Sequence, residues 1–285
     1  MVGFVVAVSI DGVLVAPDQA KISVFDRGLQ HGDGCYEILR TWNGVLGDAE
    51  AHLDRLYETA KFLVLRTLDR QKLTEALYKT LMAARGDAAA GAGDHRIRIM
   101  LTRGQGPFGA KLKEIGPGSA IVIVEDLPEQ PAEISLAVVD WPLPRREQRG
   151  HKTLSFIDNI IARELARAAD ADEAVRLDDD GNVIECATSN IFVVSAGEVS
   201  TPSTDDGALP GIVRARVLAL CDKLEITSRV RDLIVRDLRS ADELFVTSSL
   251  RGVVPVTRLD GVRVATGPIT QQLAAAYVEE MRSAT

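Results

Sequence analysis

The segment Val183-Ile184-Glu185-Cys186-Ala187-Thr188-Ser189-Asn190-Ile191-Phe192 sets one carboxylate into an otherwise apolar strand entry. A buried, unpaired carboxylate is costly, so Glu185 calls for a partner. Thirty-three residues earlier (185 − 152), Lys152 stands in His151-Lys152-Thr153-Leu154-Ser155. It follows a basic, Pro-containing loop at 142–151 and precedes an amphipathic helical pattern. Taken alone, a lysine there is a solvated surface group. Downstream, Leu209-Pro210-Gly211-Ile212-Val213-Arg214 reads as a turn feeding straight into a helix. The unpaired N–H groups and dipole of such a helix start form a ready anion site.

Around these three stretches the chain alternates strands and helices. Residues 2–10 and 13–15 read as a hairpin about Asp11-Gly12, a favoured two-residue turn. Helical spacing follows at Leu53, Leu56, Tyr57, Ala60, Leu63 and Val64, and again at Leu73, Ala76, Leu77 and Leu81. Gly86 to Gly93 reads as a loop. Arg96–Thr102, Ala120–Val124 and Ile134–Val139 read as strands, and Ile157, Ile160, Ile161, Leu165 and Ala168 share one helix. Short strands flank Asp180-Gly181 and Ala196-Gly197. Glu243–Thr247 and Val253–Val256 precede a last helix from Pro268. The Pro- and acid-rich run from Glu125 to Pro131 is the best linker. The expected fold is α/β, with a small α+β domain over 1–127 and a larger, β-barrel-like α/β domain over 128–285.

Composition narrows the function. The 285 residues hold 33 Lys+Arg against 41 Asp+Glu, a formal charge of −8. That balance argues against a general nucleic-acid binder. No apolar stretch reaches the ~18 residues that span a bilayer. Three scattered cysteines (Cys35, Cys186, Cys221) suggest reduced thiols and a cytoplasmic protein. Four histidines without ligand spacing speak against a metal. Gly104-Gln105-Gly106-Pro107-Phe108-Gly109 spells a dinucleotide fingerprint, but Pro107 interrupts it and no helix pattern follows. Asp178-Asp179-Asp180-Gly181 reads as a hairpin turn, not a calcium loop.

Taken together, the sequence resembles the fold-type IV (class IV) pyridoxal-phosphate (PLP) enzymes over nearly its whole length. These comprise branched-chain and D-amino-acid aminotransferases, (R)-amine transaminases and aminodeoxychorismate lyases. Arg27 to Glu37 (R-G-L-Q-H-G-D-G-C-Y-E) is similar to the family's early motif. Glu50 to Leu56 is similar to its helix with a phosphate-binding Arg, and Lys152-Thr153-Leu154 to its lysine motif. Glu185 to Phe192 resembles E-x-x-x-x-N-[ILV]-F, Leu209 to Arg214 the phosphate turn, and Thr247-Ser248-Ser249 through Pro255 the second phosphate and substrate turn. The resemblance implies that Lys152 carries PLP as a Schiff base and acts as general base and acid. Glu185 would keep the pyridine nitrogen protonated. Arg55, the N–H groups of Ile212 and Val213, and the hydroxyls of Ser248 and Ser249 would hold the phosphate. Val213 stands where relatives often have Thr, so a hydroxyl contact is lost. The bland alternative for Arg55 is a helix-surface ion pair with Asp54 or near Glu58.

The resemblance does not choose among reactions. Ile38 stands where lyases usually carry Thr. The Arg-x-His pair of well-known D-amino-acid enzymes is missing after Thr102-Arg103-Gly104, although Tyr36 matches their early motif. Arg96-Ile97-Arg98 echoes the Tyr-x-Arg of branched-chain enzymes, and alternation sets both arginines on one face. Arg98 is thus a candidate substrate-carboxylate clamp, or both arginines pair with acids at a sheet edge. His31 and Tyr36 with Trp42 echo the (R)-amine transaminases. The expectation is a transaminase between an amino acid, foremost a D-amino acid, and a 2-oxo acid. It would use PLP and form a homodimer, with no nucleic-acid or membrane partner. Lyase, branched-chain or (R)-amine activity, or a non-catalytic PLP module, are the alternatives.

Overall fold

The computed structural model describes residues 5–86, 93–107, 109–144 and 149–283. Residues 1–4, 87–92, 108, 145–148 and 284–285 lie outside the described part, and with them most of the expected Gly86–Gly93 loop and part of the basic loop at 142–151. Two compact units emerge. One runs to Glu129 and includes His151–Ser155; the other holds Gln130–Gly150 and the chain from Phe156.

In the first unit, β1 (Val5–Ile10) and β2 (Val13–Val15) form the hairpin. Asp11 and Gly12 take φ of 51° and 81°, as a two-residue turn between twisted strands requires. After the short helix α1 (Arg27–His31) come β3 (Gly34–Trp42), β4 (Val45–Leu46), α2 (Ala49–Phe62), α3 (Arg70–Arg85), β5 (His95–Thr102) and β6 (Ala120–Asp126). The strands make an antiparallel sheet in the order β2-β1-β6-β5-β3-β4. Alternation sorts its faces: Ile97, Ile99 and Leu101 of β5 are buried against Leu53, Leu56, Leu73 and Leu77 of α2 and α3. Tyr36, Ile38, Arg98 and Met100 take the other face, through the pairs Tyr36↔Met100 and Ile38↔Arg98. The helical spacing at 63 and 64 does not extend α2. The helix stops at Phe62, and Val64 turns to φ 54° and is exposed. Nor is the acid-rich run wholly a linker, since β6 continues through Glu125 and Asp126.

The second unit has β7 (Ile134–Val138), α4 (Ile157–Ala168), β8 (Glu173–Leu177), β9 (Asn182–Cys186), β10 (Asn190–Ser195), β11 (Glu198–Thr201) and α5 (Ile212–Lys223). There follow β12 (Ser228–Val230), β13 (Leu233–Ile234), α6 (Val235–Arg239), β14 (Glu243–Ser248), β15 (Gly252–Leu259), β16 (Val262–Arg263) and α7 (Pro268–Ser283). Its ten strands form one mixed sheet, β12-β11-β10-β14-β15-β7-β8-β9-β13, with β16 on β15. Ile134, Val175, Val183, Ile191, Val246 and Val256 fill the core. The Asp178–Gly181 stretch is the expected hairpin turn: Asp178 accepts hydrogen bonds from the N–H groups of Asp180 and Asn182. Helix α4 departs from its sequence pattern. Small Ala162 and Ala166 are its buried residues, while Ile157, Ile160 and Leu165 are exposed.

Candidate active site

In the first unit, Lys152 is held by backbone pairing. Tyr36 N–H donates to the Lys152 carbonyl at 3.0 Å and Leu154 N–H to the Gly34 carbonyl at 2.9 Å, so 152–154 adds to the edge of β3. Gly34 is needed here, because a Cβ would overlap the Leu101 carbonyl and crowd Leu154. His151 stacks on Phe62 with ring centroids 3.7 Å apart. The Lys152 Nζ lies 4.6 Å from the centroid of the buried Tyr36 ring, and the Arg98 guanidinium carbon 5.9 Å from it. Both cations therefore neighbour one aromatic ring, a favourable arrangement for positive charge. Arg98 has no ion pair or hydrogen bond among the described residues. Its neighbour in the alternation, Arg96, does pair at the sheet, with Glu125 at 2.8 Å. His31 is exposed at the end of α1 and nothing described brings it to Tyr36.

Arg55 has a partner that sequence reasoning missed. Its Nε and Nη2 donate to the two oxygens of Glu37 at 2.7 and 2.8 Å. Glu37 is fully buried, and His52 Nδ1 meets the same carboxylate at 2.8 Å. Burial alone would raise the Glu37 pKa, but hydrogen bonds and charge from Arg55 and His52 bring it down to about 2. Burial holds the His52 pKa below its usual value despite Glu37. The signal was present: β3 puts Glu37 on the helix side, and His52 and Arg55, three apart, share one face of α2. Asp54, the alternative partner for Arg55 on its own helix, instead pairs with Arg70 at 2.6 Å. Asp33 of the early motif is structural as well. It joins Arg27 and Arg103 at 3.0 and 2.7 Å, and Arg103 caps the end of α2 through the carbonyls of Leu63 and Val64.

In the second unit, Glu185 finds its partners. Its Oε2 accepts the Leu209 N–H at 3.0 Å and the Asn190 amide at 3.3 Å, and that amide also donates to the Leu209 carbonyl at 3.0 Å. The E-x-x-x-x-N spacing thus ties the strand to the 209 turn. Arg176 faces Glu185 in the β8–β9 register, donating to Asn159 and to the Pro142 carbonyl. Burial lowers the Arg176 pKa, and the Glu185 carboxylate opposes that. Gly211 caps α5, and no side chain caps the helix start. A Cβ at Gly211 would overlap the Asn190 oxygen, so glycine keeps the turn seated on Asn190. The hydroxyls of Ser248 and Ser249 have no partner among the described residues. An uncapped helix start, two available hydroxyls and a carboxylate on a firm backbone form a donor set that fits a phosphate and a protonated ring nitrogen. No group of His, Cys, Asp and Glu that could hold a metal occurs among the described residues.

Two curled sheets with helices, a strand-docked lysine and a carboxylate hydrogen-bonded to the turn that opens an uncapped helix are the features of a fold-type IV PLP enzyme. Comparison with known proteins agrees. Residues 34–259 match the family Amino-transferase class IV, and the chain belongs to that family. The D-alanine aminotransferase of Listeria monocytogenes (strain 10403S) is 32% identical over 97% of this chain and 96% of its own. The branched-chain aminotransferase of Thermoproteus uzoniensis, solved with norvaline, superposes with a TM-score of 0.90 at 27% identity, over 98% and 96% of the two chains. A further branched-chain amino acid aminotransferase, complexed with N-(5′-phosphopyridoxyl)-L-glutamate, shares the fold at a TM-score of 0.89 and 24% identity, over 99% and 95%. The protein is therefore a PLP-dependent aminotransferase, acting on an amino acid and an oxo acid.

Proposed function

We propose that this enzyme moves an amino group from a D-amino acid to a 2-oxo acid, with Lys152 as its catalytic residue. The observation that carries the reading is the Tyr36 ring, where Lys152 Nζ and an otherwise unpartnered Arg98 meet among the described residues. An arginine kept in a half-buried place without an acid partner is suited to a substrate carboxylate. Tyr36 in the early motif and the Listeria relative support a D-amino acid. Arg98 at the Tyr-x-Arg place and the Thermoproteus relative support the second reading, a branched-chain L-amino acid.

When bound, PLP supplies a protonated ring that draws off the electrons left as the substrate Cα proton departs. Lys152 would hold the cofactor and move that proton. Glu185 would accept the ring N–H, while Leu209 and Asn190 keep its carboxylate aimed. Ile212 and Val213 N–H groups, the Ser248 and Ser249 hydroxyls and Arg55 would bind the phosphate, with Glu37 orienting Arg55. His31 and Tyr36 would line the substrate side.

A second copy of the chain would cover the apolar run in the first unit, where Val24, Phe25 and Leu29 are each more than 60% exposed. A reducing cytoplasm suits the three buried free cysteines. A donor panel of D- and L-amino acids and (R)-1-phenylethylamine tests the reading. Bleaching of the cofactor colour by D-alanine or D-glutamate without acceptor supports it. Response only to L-leucine or L-valine supports the branched-chain reading. Pyruvate released from aminodeoxychorismate without an amino acceptor would identify a lyase.

A further inference from the structure

Glu173 opens β8 and is fully buried among the apolar side chains of the second unit. Its Oε1 accepts the Ala174 N–H at 3.2 Å, and its Oε2 accepts the Thr188 hydroxyl. Arg251 Nη1, buried and without a hydrogen bond, lies 3.8 Å from the same Oε2. Removing a carboxylate from water is expensive, and replacing a buried ion pair by apolar side chains is often neutral or stabilising. Packing therefore does not account for an acid at this place. Connectivity does. Thr188 sits in the loop between Glu185 and Asn190, and Arg251 two residues past Ser249. One buried carboxylate thus tethers both the segment that would hold the ring nitrogen and the turn that would hold the phosphate.

We propose that Glu173 is a positioning residue that fixes the separation of these two anchor points by holding Thr188 and Arg251 together. The inference rests on the reading of Glu185, Ser248 and Ser249 as cofactor ligands. A ligand with a ring nitrogen at one end and a phosphate at the other is a body of set length. Its affinity depends on that separation, whereas a ligand anchored at one end alone is indifferent to it.

The test compares PLP with pyridoxal, which lacks the phosphate, titrated into apoprotein and followed by absorbance. Glu173→Gln, which keeps the shape and removes the charge, should weaken PLP by about tenfold or more and pyridoxal by less than about twofold. The gap in Tm between PLP-loaded and apo forms should narrow accordingly. Thr188→Val cuts one tether and leaves the carboxylate in place, and serves if Glu173→Gln fails to fold. It should weaken PLP by about threefold, and the double variant should be no worse than Glu173→Gln alone, because both act through one carboxylate. Equal losses for PLP and pyridoxal, or unchanged PLP affinity, overturn the positioning role. If the wild-type protein itself does not bind PLP, the functional reading falls and this inference with it; if it binds and the variants bind as well, only this inference falls.

Discussion

Replacing Glu37 by Gln removes the charge from the most buried ion cluster of the first unit while leaving its volume unchanged. Against the upward push of burial, two bonds from Arg55 and one from His52 carry the Glu37 pKa from an ordinary 4.5 down to about 2. At ~1.4 kcal/mol per unit, that shift corresponds to about 3 kcal/mol of stability at pH 7. Breaking a buried pair by neutralising one partner falls in the same range, roughly 3–5 kcal/mol. The pH dependence follows from the sign. The folded value lies below the unfolded one, so the contribution is complete above pH 4.5 and drains away as pH falls toward 2. By pH 3 about 1.4 kcal/mol of it should remain. Urea denaturation of wild type and variant in parallel, at pH 7 and pH 3, measures both quantities. A variant within about 1 kcal/mol of wild type at pH 7, or a gap that does not shrink at pH 3, would refute the account of Glu37 as an ionised clamp on Arg55.

Other consequences are simpler to read. Gly211→Ala should push the Asn190 amide off Glu185, lowering stability by about 1–3 kcal/mol and weakening PLP binding, both seen in a thermal melt with and without PLP. Arg98→Gln should change stability by less than about 1 kcal/mol, because no ion pair among the described residues is lost, while raising KM for the amino acid and leaving PLP content intact. Cys35, pushed up to about 12 by burial, should resist iodoacetamide at pH 8 in the folded protein and react fully in urea, as mass spectrometry will report. Lys152→Ala should lose about a thousandfold or more in turnover; full turnover would remove Lys152 from the catalytic role.

Much of this was legible in the chain. The Asp11-Gly12 hairpin, the Asp178 turn and the buried faces of α2 and α3 follow from local turn chemistry and hydrophobic period, which act within a few residues. Lys152, Glu185 and the 209–214 turn stand out because each breaks its local pattern: a charge at a strand entry, a cap with no side-chain acceptor. The Ile and Leu residues of α4 misled for the same reason. Periodicity reports which residues are apolar, whereas the neighbouring strands left room only for Ala162 and Ala166, so the larger side chains face outward.

What the amino-acid order determined by itself was the class of many of the elements, though not of β3, and the chemical kind of the site. Partners distant along the chain were decided only by the tertiary structure. Arg55 turned to Glu37, eighteen residues away, and not to Asp54 beside it, because strand alternation buried Glu37 against α2 while Asp54 stayed in water. Arg96 found Glu125 across the sheet, while Arg98, two residues on, has no acid partner among the described residues. A buried charge takes whichever opposite charge shares its dry surroundings, and which groups share them is a property of packing, not of spacing.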